Sequence, residues 1–297
     1  MNPDSIRQRT KIVYDLSESP VVRALVKASL EEDLGLTGDV TSKALMPDAR
    51  LAVHMVARER CVPAGLTLAA DVFRAVDPDL RLQPLTDDGQ LVEAGEDLLR
   101  IEGSALGVLS AERTALNFVQ RLSGIATITQ QYVEVVEDLG TQILDTRKTT
   151  PGWRLLEKYA VHCGGGVNHR AGLYDQILIK DNHLAHWRRR SGKGIAEAVA
   201  AARTASPGLL VEVEADTVGQ VKHLVEAGPD WILLDNMTFA ELEASVALCE
   251  GVCKTEASGG ITLDTLRGVA ETGVDAISVG ALTHSVRAVD IALDDAG

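Results

Sequence analysis

Six short apolar runs in the second half of the chain are each followed by side chains that could do chemistry. The runs are rich in Val, Ile and Leu and are typical of buried strands. The carboxyl ends of parallel strands meet at one edge of a sheet, so the pattern predicts a single site there. The residues concerned are 145–148, 180–183, Glu214, 235–236, Glu256 with Ser258, and Gly280 with Thr283 and His284.

The basic residues of this set favour an anionic ligand. The segment DTRKTTPG places Arg147 and Lys148 directly after a strand, and GGGVNHR joins three glycines to His169 and Arg170. Arginine offers a planar fork for carboxylate or phosphate, whereas lysine offers a compact point charge. Lys180 ends an apolar run, which indicates either an ion pair or the amine of a Schiff-base enzyme.

Two carboxylates, Glu214 and Asp235, come from neighbouring predicted strands. They could bind a divalent cation, hold sugar hydroxyls or shield a developing positive charge. The alternative is a structural ion pair with Lys180 or Arg147. Glu212 shares its strand face with Glu214, so it is either an inward-facing acid of a lower layer or a paired structural acid.

Glycine-rich turns follow the last two predicted strands, in EASGGI and SVGALTHS, and each leads into a helical pattern. Backbone N–H groups at such turns bind phosphate, and the loops after the last two strands are a frequent phosphate site in α/β barrels. Together, the cations, carboxylates and turns fit a glycosyl transfer on a phosphorylated ribose.

The elements that must position these residues repeat every 21 to 23 residues in the last third of the chain, as strand, helix and two short loops. Repeated units of this kind predict a parallel α/β sheet, either a closed barrel or an open doubly wound sheet. Polar residues at six consecutive strand ends can surround one site only if the sheet closes, so a barrel is favoured. Strands are predicted at 142–145, 176–180, 209–214, 231–235, 252–256 and 276–279, and helices at 216–227, 238–249 and 262–271.

The first part of the chain predicts a separate mixed α/β domain. Helices are expected at 20–30 and 66–76, strands at 51–58, 80–85 and 98–101, and a largely helical stretch at 105–140 with a break at Ser123–Gly124. The expected division is an N-terminal domain over residues 1–120 and a barrel over 121–284. A C-terminal helix over 285–297 is expected to pack on the N-terminal domain.

Composition excludes several classes of protein. The chain has 297 residues, a formal net charge of −14 and 3% aromatic residues, which argues against a nucleic-acid binder. The basic residues concentrate at 145–190, a segment that contains nine Lys or Arg and four Asp or Glu. No apolar run reaches the roughly 20 residues that span a bilayer, no signal peptide is expected, and four cysteines fit a reducing cytoplasm.

The motifs resemble the quinolinate phosphoribosyltransferase family, also called nicotinate-nucleotide pyrophosphorylase (carboxylating). The resemblance rests on strings that agree in order between about residues 25 and 290: GDVTS, ERTALNFVQRLSGIAT, DTRKTTPG, EKYAV followed one residue later by CGGGVNHR, LYDQILIKDNH, VEVE, ILLDNM, EASGGI and SVGALTHS. It implies an open α/β sandwich domain followed by an incomplete α/β barrel of fewer than eight strands. It also implies transfer of phosphoribose from phosphoribosyl pyrophosphate to quinolinate, giving nicotinate mononucleotide, pyrophosphate and carbon dioxide in NAD biosynthesis.

The resemblance implies four catalytic residues. Lys148 and Lys180 would lie between quinolinate and the pyrophosphate-bearing ribose, and Glu214 and Asp235 would hold ribose hydroxyls and stabilise an oxocarbenium-like transition state. Mg²⁺ would accompany the pyrophosphate near these two acids, with no side chain assigned as its direct ligand. The working unit would be a homodimer or a higher oligomer.

Eleven further residues are implied to bind substrate. The dicarboxylate end would involve Arg113 donated by the partner subunit, Arg147, Thr149, His169 and Arg170. The 5′-phosphate would bind at Ser258, Gly259, Gly260, Val279, Gly280 and Ala281.

Three features depart from the family pattern or have no role in it. Trp153 stands where a smaller aliphatic residue is expected, His162 stands where Arg is expected, and both are expected to flank the site. The segment 186–193 is expected as a mobile lid or a surface loop. Rival functions are a related transferase associated with molybdenum transport, a Schiff-base aldolase acting through Lys180, and a metabolite-binding protein without catalysis.

Overall fold

The computed structural model describes residues 16–296, which fall into two compact units. The antiparallel unit comprises residues 16–130, 149–165 and 281–296, and the parallel unit comprises residues 131–148 and 166–280. Residues 1–15 of the predicted N-terminal domain and Gly297 of the predicted C-terminal helix lie outside the described residues.

The antiparallel unit is a four-stranded sheet with helices. Its strands are β1 (Arg50–Ala57), β2 (Arg81–Pro84), β3 (Asp97–Ser104) and β10 (Ile291–Asp295). Its helices are α1 (Pro20–Leu34), α2 (Val40–Leu45), α3 (Leu66–Val76), α5 (Arg154–Cys163) and α11 (Ala281–His284). The strand order is β10-β1-β3-β2, and Met55, Leu99 and Ile101 are fully buried in its core. The mixed α/β character predicted for this part of the chain is confirmed.

The predicted C-terminal helix is wrong. Residues 291–295 form strand β10, which pairs antiparallel with β1 from Val53↔Asp295 to Ala57↔Ile291. The side chains explain the difference, because Val289 and Ile291 are buried two residues apart and so follow the period of a strand. The segment therefore joins the N-terminal sheet as its edge strand.

The predicted break in the long helix is also absent. Helix α4 (Ala105–Val136) runs without interruption through Ser123 and Gly124. The Ser123 hydroxyl accepts a hydrogen bond from the Ala64 amide at 3.0 Å, and a Cβ atom on Gly124 would overlap the carbonyl oxygen of Arg287. These small residues allow close packing and do not end the helix.

The parallel unit alternates strands and helices. Its strands are β4 (Gln142–Leu144), β5 (Ile177–Ile179), β6 (Val211–Ala215), β7 (Trp231–Asp235), β8 (Lys254–Ser258) and β9 (Ala276–Ser278). Its helices are α6 (Asp181–Ser191), α7 (Ile195–Ala205), α8 (Val218–Ala227), α9 (Phe239–Cys249) and α10 (Leu263–Glu271). Thr217 and Thr238 cap α8 and α9, and each cap's backbone N–H donates in return to the side chain of Gln220 or Glu241.

The barrel is incomplete, as the resemblance implies, whereas the inference from the strand ends that one site requires a closed sheet is wrong. All pairings are parallel in the order β4-β9-β8-β7-β6-β5, so the first strand lies beside the last. A single bridge joins Leu144 to Val167, and within residues 16–296 β5 pairs with β6 alone. The sheet thus curves round one site without closing.

One face of this sheet carries the polar residues. Side chains alternate along a strand, so residues two apart share a face. In the register of the sheet, Glu214 lies beside Leu233, Leu233 lies beside Glu256, and Asp235 lies beside Ser258. The residues on the opposite face of the sheet are apolar and buried: Val213, Ile232, Leu234 and Ala257.

The segment expected as a lid or surface loop is largely helix. Residues 186–191 form the end of α6, which stops at Gly192 with φ +67°. Arg188, Arg189 and Arg190 occupy its last turn, where positive charges interact favourably with the helix dipole. No residue of α6 is buried, so these three arginines are exposed to solvent. Among the described helices, none has the length and apolar character needed to cross a membrane.

We expect Gly124→Ala to destabilise the protein, although alanine is the better helix former by about 1 kcal/mol. The new methyl group would overlap a backbone carbonyl, and such overpacking costs about 1–3 kcal/mol. Gly219→Ala in α8 is the matched control, because a Cβ atom there would meet no atom closer than 3.9 Å. Urea denaturation should show a lower midpoint for Gly124→Ala and an unchanged or higher one for Gly219→Ala. A higher midpoint for Gly124→Ala would contradict the packing.

Candidate active site

A cleft of about 590 Å³ opens at the carboxyl ends of the parallel strands. It is lined from β4, β5, β6, β7, β8 and β9 and the turns that follow them. Ten predicted site residues line it: Arg147, Lys148, His169, Arg170, Lys180, Glu214, Asp235, Ser258, Gly259 and Gly260. The other lining residues are Thr146, Leu178, Leu233, Asn236, Glu256 and Ser278. The predicted convergence of the strand ends on one site is confirmed, but Gly280, Thr283 and His284, which were predicted to contribute after the last strand, do not line the cleft.

Two arginines, Arg147 and Arg170, give the cleft its positive character. Partial burial lowers the pKa of the Arg170 guanidinium, the nearby positive charge of Arg147 lowers it further, and the buried carboxylate of Glu212 opposes both effects. Two like charges in one cleft repel each other, so a ligand with two negative groups would relieve that repulsion.

Lys180 and Glu214 form an ion pair, with Nζ 2.8 Å from a carboxylate oxygen. The Lys180 side chain is half exposed, whereas Glu214 is mostly covered. The backbone amide of Lys180 begins α6 and donates to Nδ1 of His183 at 2.9 Å, which fixes this end of the strand. The structure therefore realises the predicted pairing of Glu214 with Lys180. A Schiff-base enzyme would instead need this amine uncharged and available.

The turn after β8 brings Gly259 against Asn236. Asn236 has φ +55°, its side-chain amide donates to the Asp235 carboxylate at 2.7 Å, and its backbone amide donates to the Ser258 carbonyl at 2.9 Å. Gly259 has φ +104°, and a Cβ atom there would overlap the Asn236 side chain. Glycine is required at this position by both conformation and space.

Asp145 organises the turn that carries His169 and Arg170. It is fully buried and accepts hydrogen bonds from the His169 backbone amide at 2.8 Å and the Asn168 side chain at 2.7 Å. In the sequence, Asp145 stands in a cation-rich segment and no role was predicted for it. The position of Asp145 at the end of a strand marked it as a site residue. Its hydrogen-bond partners Asn168 and His169, 23 and 24 residues away, could not be predicted from the sequence.

Two fully buried acids lie against His169: Glu256 lines the cleft, and Glu212 lies beneath it. Glu212 accepts from the Gln176 side chain at 2.6 Å and faces Nε2 of His169 at 3.0 Å, and Glu256 lies 3.5 Å from the same nitrogen. Glu212 therefore shares the inward face with Glu214 and is also a paired acid. Both alternatives predicted for Glu212 hold at once.

Two groups of side chains in the described residues have the composition of metal ligands. Carboxylate oxygens of Glu214, Asp216 and Asp235 lie within 4.8 Å of one another, as do ligand atoms of His169, Glu212 and Glu256. The first group lies at the cleft mouth and offers only oxygen atoms, which suits Mg²⁺.

Five predicted site residues are not among those that line the cleft. Arg113 is exposed on α4, and the Thr149 hydroxyl accepts a hydrogen bond from Arg154 at 3.0 Å. Val279 is buried and its amide donates to the Leu144 carbonyl at 2.9 Å. Gly280 follows it, and Ala281 begins α11.

The two unusual residues have structural environments. The Trp153 ring stacks on Phe118 with centroids 4.9 Å apart, and His162 is exposed in the last turn of α5. Neither is among the residues that line the cleft. The expectation that both flank the site gains no support, and Trp153 instead contributes packing in the antiparallel unit.

Two family descriptions match most of the chain. Residues 39–123 match the N-terminal domain of quinolinate phosphoribosyl transferase, and residues 125–294 match its C-terminal domain. The chain belongs to this family. The resemblance inferred from the motifs is confirmed, and the two matches cover both units of the fold.

Similar proteins agree with the family over nearly their whole length. The chain is 43% identical to the probable nicotinate-nucleotide pyrophosphorylase (carboxylating) of Bacillus subtilis, covering 89% of each chain. It is 42% identical to the enzyme of that name from Mycobacterium leprae, covering 93% of this chain and 98% of the relative. The solved nicotinate-nucleotide pyrophosphorylase of Francisella tularensis superposes with a TM-score of 0.89 at 36% identity, covering 97% and 99%.

In this phosphoribosyl transferase, we expect Asp145→Asn to lower the free energy of unfolding by about 1–3 kcal/mol. The carboxylate now accepts hydrogen bonds from the Asn168 side chain and the His169 backbone amide. The amide nitrogen of the variant would face one of these donors and could not accept from it. The control is Glu243→Gln, the same acid-to-amide change at an exposed position of α9, which should shift stability by less than about 0.5 kcal/mol. Urea denaturation measures both, and equal stability of the two variants would show that Asp145 does not organise the turn.

Proposed function

We propose that this protein transfers phosphoribose from phosphoribosyl pyrophosphate to quinolinate, releasing pyrophosphate and carbon dioxide and forming nicotinate mononucleotide. The observation that carries the proposal is one cleft in which two arginines, two lysines and three acids converge beside the glycine-rich turn after β8. The names of the relatives, which include quinolinate phosphoribosyltransferase (decarboxylating) from Nicotiana tabacum at 40% identity, support the same reaction.

The arginines would bind the dicarboxylate. Arg147 and Arg170 would each engage a carboxylate of quinolinate, with Lys148 beside them, because paired N–H groups match the geometry of a carboxylate. Fixing both carboxylates orients the ring nitrogen towards the anomeric carbon, and orientation of this kind supplies much of a bimolecular rate enhancement.

The acids would serve the ribose. Glu214 and Asp235 would accept hydrogen bonds from ribose hydroxyls and stabilise positive charge as the bond from the anomeric carbon to pyrophosphate breaks. Lys180 would leave its resting contact with Glu214 to engage an anionic group of a substrate. Ser258, Gly259 and Gly260, followed by the turn at 279–281, would bind the 5′-phosphate through backbone N–H groups.

Mg²⁺ would enter with phosphoribosyl pyrophosphate. The oxygen-only set of Glu214, Asp216 and Asp235 fits this ion at the cleft mouth. When bound, the ion neutralises charge on the pyrophosphate leaving group.

The chemical steps follow from this arrangement. The ring nitrogen forms a bond to the anomeric carbon, and pyrophosphate departs with the electron pair of the broken bond. The nitrogen is then positively charged. When the adjacent carboxylate leaves as carbon dioxide, the electron pair of the broken bond stays on the ring carbon, where the neighbouring positive nitrogen stabilises it. A proton takes the vacated ring position and completes nicotinate mononucleotide.

The assembly would be a homodimer in which Arg113 of one subunit completes the site of the other. The exposed position of Arg113 on α4 and the match of its segment to the family motif support this proposal. A cytoplasmic location fits the four cysteines, none of which is in a disulfide.

The direct test incubates the purified protein with quinolinate, phosphoribosyl pyrophosphate and Mg²⁺ and follows nicotinate mononucleotide and carbon dioxide. Product from quinolinate but not from nicotinate is expected, because nicotinate lacks the second carboxylate. Binding of both substrates without product would favour a binding protein or a transferase for another acceptor. Borohydride trapping of a carbonyl substrate would instead indicate the aldolase.

Arg147→Ala should weaken transition-state binding by about 2–5 kcal/mol, because a buried substrate carboxylate loses its partner. The loss should appear in kcat/KM for quinolinate at saturating phosphoribosyl pyrophosphate. Arg189→Ala, an exposed residue of the same basic segment, is the control and should leave kcat/KM unchanged. Wild-type turnover of Arg147→Ala at low quinolinate would remove this residue from the pocket.

Exchange of Arg113 between subunits predicts complementation. Arg113→Ala and Arg147→Ala homodimers should both be inactive, whereas co-expression should recover about a quarter of wild-type activity. Half of the dimers would then be mixed, and each mixed dimer would hold one intact site. Two purification tags would isolate the mixed dimer, and its inactivity would contradict donation of Arg113 across the interface.

A further inference from the structure

Four hydrogen bonds form a closed circuit beneath the cleft. The Arg170 guanidinium donates from Nη1 to the Gln176 carbonyl at 3.3 Å, and the Gln176 side-chain amide donates to Oε2 of Glu212 at 2.6 Å. Nε2 of His169 lies 3.0 Å from the same oxygen, and the Arg170 backbone amide donates to Nδ1 of His169 at 2.7 Å. The circuit therefore begins and ends at Arg170.

The circuit determines which ring nitrogen of His169 carries a proton. A backbone N–H can only donate, so Nδ1, which receives the Arg170 amide, has no proton. The ring proton then lies on Nε2 and points at the Glu212 carboxylate, with Glu256 3.5 Å away as a second acceptor. Both ring nitrogens are thus engaged within the protein.

We propose that Glu212 is a positioning residue for the substrate dicarboxylate, acting through His169 and Gln176 to fix the backbone and the guanidinium of Arg170. His169 is a rigid spacer in this arrangement and does not bind the substrate through its ring nitrogens. This inference rests on the proposed function, and it reverses the substrate-binding role that the resemblance implied for His169.

The burial of the circuit supports this role. Glu212 is fully buried, His169 is 7% exposed and Gln176 is 4% exposed, so water competes little for their hydrogen bonds. One carboxylate oxygen of Glu212 contacts both the Gln176 side chain and the His169 ring. Gln176 in turn holds the Arg170 side chain, and His169 holds the Arg170 backbone amide. An arginine held at both ends loses less conformational freedom when it binds a carboxylate, so it binds more tightly.

The first test reads the His169 tautomer directly in the wild-type protein. Long-range proton–nitrogen NMR spectra of ¹⁵N-histidine-labelled protein separate the two neutral tautomers, and the His169→Gln variant assigns the signal. We expect a protonated Nε2 and an unprotonated Nδ1, unchanged when quinolinate is added. A protonated Nδ1, or a ring-nitrogen shift on quinolinate binding typical of a new hydrogen bond, would overturn the proposal.

The second test separates positioning from general destabilisation. Glu212→Leu removes the acceptor and should raise KM for quinolinate at least tenfold while changing KM for phosphoribosyl pyrophosphate less than twofold. Glu212→Gln keeps an acceptor oxygen and should remain within about threefold of wild type for both. The control, Glu243→Gln on the exposed face of α9, should leave both values unchanged.

The outcomes distinguish this inference from the proposed function. If wild-type protein makes no nicotinate mononucleotide, the proposed function fails, whatever the tautomer is. If wild type is active but Glu212→Leu raises both KM values equally, or Glu212→Gln is as impaired as Glu212→Leu, the positioning role fails alone. Should Glu212→Leu not fold, the NMR measurement on the wild type decides.

Discussion

Placing several cations in one small cleft costs electrostatic free energy, and buried carboxylates offset that cost. Glu212 lies under the arginines and favours the charged form of Arg170, while Glu214 pairs with Lys180 at 2.8 Å. These two acids are neighbours on one face of β6, one buried and one at the mouth of the cleft. Because side chains alternate along β6, one strand places Glu212 beneath the arginines and Glu214 in the cleft. The charge balance of the site therefore depends on this strand.

Glycine at close contacts is the second constraint on the fold. Gly124 lets α4 approach the Arg287 carbonyl, Gly164 lets the end of α5 approach the Ala126 carbonyl, and Gly259 lets the turn after β8 approach Asn236. From the sequence, Gly124 was predicted to break the helix, whereas the structure shows that it allows a close contact. The difference arises because a glycine in a helix signals either an end or a contact, and only the packing partner distinguishes them.

The sequence predicted the parallel strands, most helices and ten residues of the cleft because those features depend on short-range periodicity and on strand ends. It missed β10 because that strand depends on pairing with β1, more than 230 residues earlier in the chain. It missed Asp145 and Gln176 because their partners are fixed by folding, through contacts over 24 and 36 residues. Arg113 remains a prediction from the resemblance, because its proposed partner is a second subunit.

The ion pair between Lys180 and Glu214 explains how a site for anionic substrates can also hold a carboxylate. Lys180 screens Glu214, and the half-exposed ammonium gains little from the pair because water competes with it. In the proposed reaction, an anionic substrate would offer Lys180 a stronger partner and would leave Glu214 to the ribose as positive charge develops there. The same contact would thus balance charge in the cleft and provide a carboxylate for the proposed reaction, whereas the buried Glu212 would stay with His169 and Gln176 throughout.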